Sequence, residues 1–376
     1  MTAKNGRKDG SLPIQVRNPR KLKMSTIDCE RVPLGETGDY KACVARLPND
    51  ELLLTMFHMH KQNDGKTLEQ NMLFRSGDGG TTWSGPQNLD LLGREPYLTV
   101  LKDGTVFVTG HLLANDVRNR YDYIHGYVHR STDSGRTWET TRIGAEDTGS
   151  SERPRFTRNV LELSDGTLLM GADCMRGRPC HMWCSTDRGT TWDRSQPCNP
   201  AGFQSRFAFF GGEAWLWQAR SGKIIGFIRV ESSDYPIKRL GGIVSHSDAD
   251  DHETIWESTD NGRTFRYVDD FGEYGQMYPS LLRLQDGRLL YTFTVRSQNP
   301  PLGVQALIGT EQEDGFTFDF ESDRLVLDSK TPLDKSQGGG FGPTVQLRNG
   351  TLVTSYTYRG ADDQTHAEVV RWDLPD

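Results

Sequence analysis

The sequence predicts an all-β fold, a six-bladed β-propeller with four boxes of one short pattern, on three observations. The pattern Ser-x-Asp-x-Gly-x-Thr-Trp/Phe occurs four times. Six tight-hairpin signals recur at near-regular spacing. Glycine is abundant, 40 of 376 residues, as a turn-dense chain requires. Self-similarity on this scale points to a radial or stacked repeat rather than to one irregular core.

The four copies start at Ser76, Ser131, Ser185 and Ser258 and end on Trp83, Trp138, Trp192 and Phe265. In such a turn the Asp and Ser side chains bond nearby backbone N–H groups, and Gly supplies a positive φ. The terminal aromatic is then free to enter the core between neighbouring units.

The hairpin signals centre on Asp50, Gly104, Gly166, Gly222, Gly287 and Gly350, with spacings of 54, 62, 56, 65 and 63 residues. Each is an Asp-Gly, Asn-Gly or similar turn between alternating apolar stretches, the strongest short-range signal for a hairpin. One box follows each of the first four hairpins. A degenerate copy, Asp314-Gly315-Phe316-Thr317-Phe318, follows the fifth. Each unit therefore reads as two inner strands and an outer pair. The sixth unit is one strand short, and the first 35 or so residues are expected to supply it, with Leu12-Pro13-Ile14-Gln15-Val16 as the candidate strand. The whole chain, 1–376, reads as one domain. A pair of β-sandwiches would require the register of boxes and hairpins to be coincidence.

A formal net charge of −7 argues against binding polyanions through bulk charge, and no basic cluster interleaved with aromatics suggests nucleic acid. No run reaches membrane-spanning length, and the N-terminal segment lacks the apolar stretch of a signal peptide. The expected location is cytoplasmic, or secreted or periplasmic if a leader has been removed. The six cysteines (29, 43, 174, 180, 184 and 198) form no CxxC pair, so reduced thiols are expected, a local disulfide being the alternative in an oxidising compartment. No motif calls for a cofactor or a metal. Oligomeric state is not legible.

In a propeller the start of each first strand and the end of each second strand surround a central funnel. Those positions hold Tyr40, Lys41, His58 and His60, then Arg94, Glu95, Tyr97 and His111. They continue with Arg153, Arg155, Arg158, Asp173 and Arg176, then Glu213 and Arg229, Tyr278 and Arg296, and finally Phe341, Tyr358 and Arg359. The set is rich in Arg although the chain is acidic. A guanidinium fork suits bidentate binding of a carboxylate, sulfate or phosphate.

The repeated box is that of the sialidase-like propellers (neuraminidases, BNR or Asp-box repeats), and the chain resembles a divergent member of that family. The resemblance implies a carboxylate clamp of three Arg, a Tyr nucleophile paired with a Glu, and an Asp acid/base on a loop of the first blade. Glu213 and Arg229 match the Glu and Arg that open and close the inner strands of blade four. Arg296 matches the Arg of blade five, and Asp64 in Gln62-Asn63-Asp64-Gly65-Lys66 is the candidate acid. Two positions depart. Lys41 stands where the first Arg is expected, and Phe341 where the nucleophilic Tyr is expected. Lys keeps charge but loses the fork, and Phe has no hydroxyl to attack with.

The expected function is thus an exo-acting glycoside hydrolase on an acidic sugar, by a route unlike that of a standard retaining sialidase. Its expected catalytic residues are Asp64, Glu213 and Tyr278, with Tyr278 a substitute nucleophile. Its substrate-binding residues are Lys41, Arg94, Glu95, His111, Asp173, Arg229, Arg296 and Arg359. The alternatives are a propeller-type polysaccharide lyase acting on a uronate glycan, with a His or Tyr base, and a non-catalytic carbohydrate-binding propeller.

Overall fold

The structure is a computed structural model and describes residues 11–148, 154–173, 181–197, 209–232, 251–297, 300–335 and 339–374. It is an all-β propeller. Among the described residues, helix is confined to one 3₁₀ turn, Ala145–Thr148.

The strands form six antiparallel sheets. The first runs Asp39–Arg46, Leu52–Lys61, Thr67–Ser76 and Gln87–Leu89; the second Arg94–Val100, Val106–Leu112, His125–Ser131 and Glu139–Ile143. The third holds Arg155–Phe156, Leu168–Asp173, His181–Ser185 and Asp193–Pro197, with Leu161–Glu162 on the inner side. The fourth is Phe209–Gln218, Ile224–Ser232, Asp251–Ser258 and Arg266–Phe271. The fifth is built on Gln276–Arg283, Arg288–Val295 and Gly303–Gln312, and the sixth on Thr344–Gln346, Leu352–Arg359 and Thr365–Trp372. Successive sheets touch through their inner strands, and Thr344–Gln346 of the sixth meets Asp39–Arg46 of the first. Apolar side chains on facing sheets fill the wedges. Leu54, Met56 and Phe74 of the first sheet pack with Val353, Ala367 and Val369 of the sixth.

The boxes are hydrogen-bonded turns with one geometry. In each, the Ser hydroxyl donates to the Asp carboxylate at 2.7–2.8 Å and accepts from the Gly N–H at 2.8–2.9 Å. The second Thr donates its N–H and its hydroxyl to the same carboxylate. Trp192 and Phe265 are buried in separate wedges, and Trp83 and Trp138 are partly buried against two others.

The N-terminal segment corrects one expectation. Ile14–Asn18 does not complete the sixth sheet. It pairs with Arg324–Val326 at the outer edge of the fifth, and Lys21–Ile27 pairs beyond it. Arg324–Val326 is only three residues long and leaves an apolar edge, which Ile14 and Val16 cover by packing with Leu325 and Leu327. The strand on the sixth sheet is Cys29–Leu34, in register with Ala367–Trp372. Its Arg31 is half-buried and donates to Tyr356 Oη and to the Leu327 carbonyl at 2.6 Å. Arg31 also pairs with Glu368 at 3.4 Å. Glu368 in turn accepts from Lys330 and Tyr356. Cys29, Cys43 and Cys184 are free thiols; Cys174, Cys180 and Cys198 lie outside the described residues.

Candidate functional site

One residue from each sheet converges at the centre: Lys41, Glu95, Arg158, Glu213, Tyr278 and Phe341. In five sheets it lies nine residues before the left-handed residue of the following hairpin, and in the third it lies eight before Gly166. The first strands of the first, second, fourth and fifth sheets lose ladder register at this point. Lys41, Glu95, Tyr278 and Phe341 all adopt positive φ, between 48° and 61°. Each such residue stores on the order of 1 kcal/mol of backbone strain, which surrounding contacts must offset. A β-bulge re-aims a side chain, and here the bulges turn these side chains toward one another.

The centre is a packed alternation of charge around two aromatic rings. The Lys41 ammonium lies 3.7 Å from the Tyr278 ring centroid, 4.9 Å from that of Phe341 and 3.9 Å from the Glu95 carboxylate. Gly340 lies so close that a Cβ there would stand 2.7 Å from the Lys41 side chain, which would have to shift. The Arg158 guanidinium lies 4.6 Å from the Tyr278 centroid and is ion-paired with Glu213. Glu213 also pairs with Arg229 at 3.1 Å, and Arg229 with the buried Asp251. Tyr278 Oη accepts a hydrogen bond from Arg296 at 2.7 Å, and Arg296 reaches Tyr40 Oη at 3.3 Å.

These contacts separate residues a ligand can reach from those that hold the floor. The side chains of Arg94 and Glu213 are 22% and 16% exposed, and Arg229 and Glu95 are also partly open. Lys41 and Phe341 are 1% exposed. The expectation that Lys41 clamps a ligand anion is therefore corrected: its ammonium is spent on Glu95 and the aromatic faces. Tyr278 is 4% exposed, and burial raises its phenol well above the ordinary value despite Arg296. That argues against Tyr278 as a substitute nucleophile.

Arg359 is also corrected. Its guanidinium bonds Asp363 at 2.8 Å, within its own hairpin, and does not join Arg229 and Arg296. The three Arg are not equivalent in register. Arg229 lies opposite the bulge, whereas Arg296 lies beyond Val295, the last paired residue of its strand. Asp64 accepts the Lys66 N–H at 3.0 Å in an exposed turn, the bond an ordinary turn Asp makes. Asp173 pairs through its backbone with Arg155, and its side chain lies outside the described residues. His111 pairs with Arg94 across the second sheet. Burial lowers the His111 imidazole to about 3, so it is neutral at physiological pH.

Electrostatics sorts the carboxyls. Burial raises Glu213, but Arg158 and Arg229 outweigh it and hold the group below the usual carboxylate range. Glu95 is likewise held low, to about 2, by Lys41 and Arg94 against the effect of burial. Two buried carboxyls go the other way. Burial lifts Glu69 to about 7, with the Arg94 Nε 3.5 Å away, and lifts Glu253 to about 8. Glu253 lies opposite Arg229 in the ladder, and neither of its oxygens has a hydrogen-bond partner among the described residues. Sequence reasoning missed Glu69, Asp251 and Glu253. The available signal was acidic residues at alternating positions in otherwise apolar strands, as in Asp251-His252-Glu253-Thr254-Ile255-Trp256.

A family model described as BNR repeat-like domain matches residues 37–291. A xyloglucanase from Paenibacillus sp. is 29% identical over 168 residues, which are 42% of this chain and 15% of that protein. The chain thus spans a small part of that relative's length. Among solved structures, a protein of unknown function from Dyadobacter fermentans has a TM-score of 0.68 at 21% identity, covering 92% of this chain and 98% of that one. The leech intramolecular trans-sialidase, complexed with 2,7-anhydro-Neu5Ac, has a TM-score of 0.62 at 11% identity, covering 89% of this chain and 68% of that one. An α-L-arabinanase from Penicillium chrysogenum has a TM-score of 0.57 at 14% identity, covering 96% and 98%. At these identities the likeness to the solved structures is one of fold.

Proposed function

The chain belongs to the BNR repeat-like domain family, and from that premise we propose that it is a propeller glycoside hydrolase acting on a carboxylate-bearing sugar at the centre of the funnel. The reading takes the six sheets as six blades of one domain, with Cys29–Leu34 completing the last. One observation carries it: Glu213, ionised and partly open, is held between Arg158 and Arg229, with Arg94 and Glu95 partly open in the same cluster. Four arginines, Arg94, Arg158, Arg229 and Arg296, meet three carboxylates there, Glu95, Glu213 and Asp251, while burial lowers the Lys41 pKa and raises those of Glu69 and Glu253. An incoming anion offsets that excess.

In this reading Arg94 and Arg229 hold the sugar carboxylate. Glu213 is the carboxylate that stabilises positive charge developing at the anomeric carbon, or activates water against it. Asp64 is the proposed proton donor to the leaving group. Phe341 has no hydroxyl and the phenol of Tyr278 is buried, so an inverting displacement by water fits better than a retaining one at these two positions.

A second reading, a binding propeller without chemistry, is favoured by the buried Phe341 alone. Incubation with matched acidic and neutral glycosides separates the readings. Hydrolysis predicts new reducing ends from the acidic substrate, and elimination would instead give an unsaturated product absorbing in the ultraviolet. Calorimetric binding with neither product supports the second reading. Equal turnover of neutral and acidic substrates would overturn the proposed specificity.

A further inference from the structure

Outside the central cluster, the first sheet carries a pair of imidazoles that the hydrolase reading does not use. His58 and His60 lie two apart on Leu52–Lys61 and so project from the same face of the sheet. Their ring centroids are 4.5 Å apart, tilted by 38°. The side chain of His58 is 25% exposed, and His60 is exposed. Beneath them Asp39 is buried, and both its carboxylate oxygens are engaged. One accepts the Glu36 N–H at 2.7 Å, and the other stands 2.7 Å from His58 Nδ1. Gly38 closes over the ring, where an added Cβ would stand 3.0 Å from His58 Cε1.

This arrangement fixes chemistry as well as position. A carboxylate can only accept, so the shared proton sits on Nδ1, and the lone pair of neutral His58 is left on Nε2. A buried carboxylate behind an imidazole is the support that holds metal-bound histidines in tautomer and orientation. Two imidazoles on alternate strand positions, close enough to share an ion, prefer zinc and its neighbours over the oxygen-seeking magnesium and calcium.

We propose that His58 and His60, oriented by Asp39, form a binding site for a divalent transition-metal ion such as Zn²⁺, with water completing the coordination. The site lies at the end of the first sheet and does not depend on the activity proposed above.

Calorimetric titration of the full chain with Zn²⁺ at neutral pH tests this, with Mg²⁺ as a control. One saturable site is expected to disappear in both His58→Ala and His60→Ala. Asp39→Asn should weaken it by about 10–100-fold, the usual effect of removing such a support. Circular dichroism melts confirm that each variant is folded, and the exposed His60 gives a variant with little to disturb. An isotherm unchanged by either histidine substitution, or a site that binds Mg²⁺ equally well, overturns the proposal. An unchanged affinity in Asp39→Asn removes the orienting role of the carboxylate.

Discussion

The Lys41 ammonium stands 3.7 Å from the centroid of the Tyr278 ring and 3.9 Å from the Glu95 carboxylate. Burial drives the Lys41 pKa well below 10.5, against the opposing pull of Glu95. Removing one partner of a buried ion pair costs more than replacing both, because it leaves a charge unmatched. Glu95→Gln is expected to lose about 3 kcal/mol in urea unfolding at neutral pH. The unfolded chain binds the Lys41 proton more tightly than the folded one, so raising the pH toward 10.5 should shrink the deficit. The double variant with Lys41→Met should be more stable than Glu95→Gln alone.

Glu213→Gln is expected to abolish turnover and also to lower the melting temperature. The second effect follows from Arg158, which is buried and whose carboxylate partner is Glu213. An expectation of unchanged stability would hold only for a Glu213 that faced solvent alone. Activity should therefore be measured per folded molecule, below the onset of unfolding. Normal turnover by the folded variant would exclude Glu213 from the chemistry.

Glu253 should make the protein less stable in alkaline than in mildly acidic solution. Its folded carboxyl, at about 8, binds a proton more tightly than the ordinary value of 4.5. The folded state therefore holds the extra proton, and stability falls as pH rises from about 4.5 to about 8, by up to about 1.4 kcal/mol per pH unit. Glu253→Gln should flatten that slope and raise stability at pH 8. Denaturation curves across the window, with equal slopes for both proteins, would refute this.

The boxes predict the acid limb. Asp78 is lowered from 3.8 to about 2, chiefly by the Thr82 N–H and hydroxyl. Its contribution is complete above about pH 4 and is lost as pH falls toward 2. Asp78→Ala removes three hydrogen bonds in a largely exposed turn and should cost about 1–2 kcal/mol at neutral pH. The difference between variant and wild type should narrow below pH 4.

Turn chemistry made the propeller legible, because Ser131, Asp133, Gly135 and Thr137 act within seven residues and need no tertiary knowledge. The allocation of the N-terminal strands was not legible. Ile14–Asn18 and Cys29–Leu34 are both short extended segments, and which sheet receives each depends on an edge left open some 300 residues later. The central residues were half legible. Alternation places a side chain on a face but does not reveal a bulge, so counting from the hairpins does not separate Arg229 and Arg296 from Arg359. Lys41 and Phe341 could be named as departures, but their burial under each other's contacts is a property of six strands at once.

The clasp between Arg31 and Glu368 joins residues 337 positions apart. During synthesis, Cys29–Leu34 leaves the ribosome more than 300 residues before Thr365–Trp372. The earlier strand must therefore wait, without this partner, while the intervening residues are made. Its composition suits that wait. Glu30 and Arg31 repel stacking with like copies, and Pro33 removes a backbone donor, so Cys-Glu-Arg-Val-Pro-Leu is a poor template for aggregation until its own partner arrives.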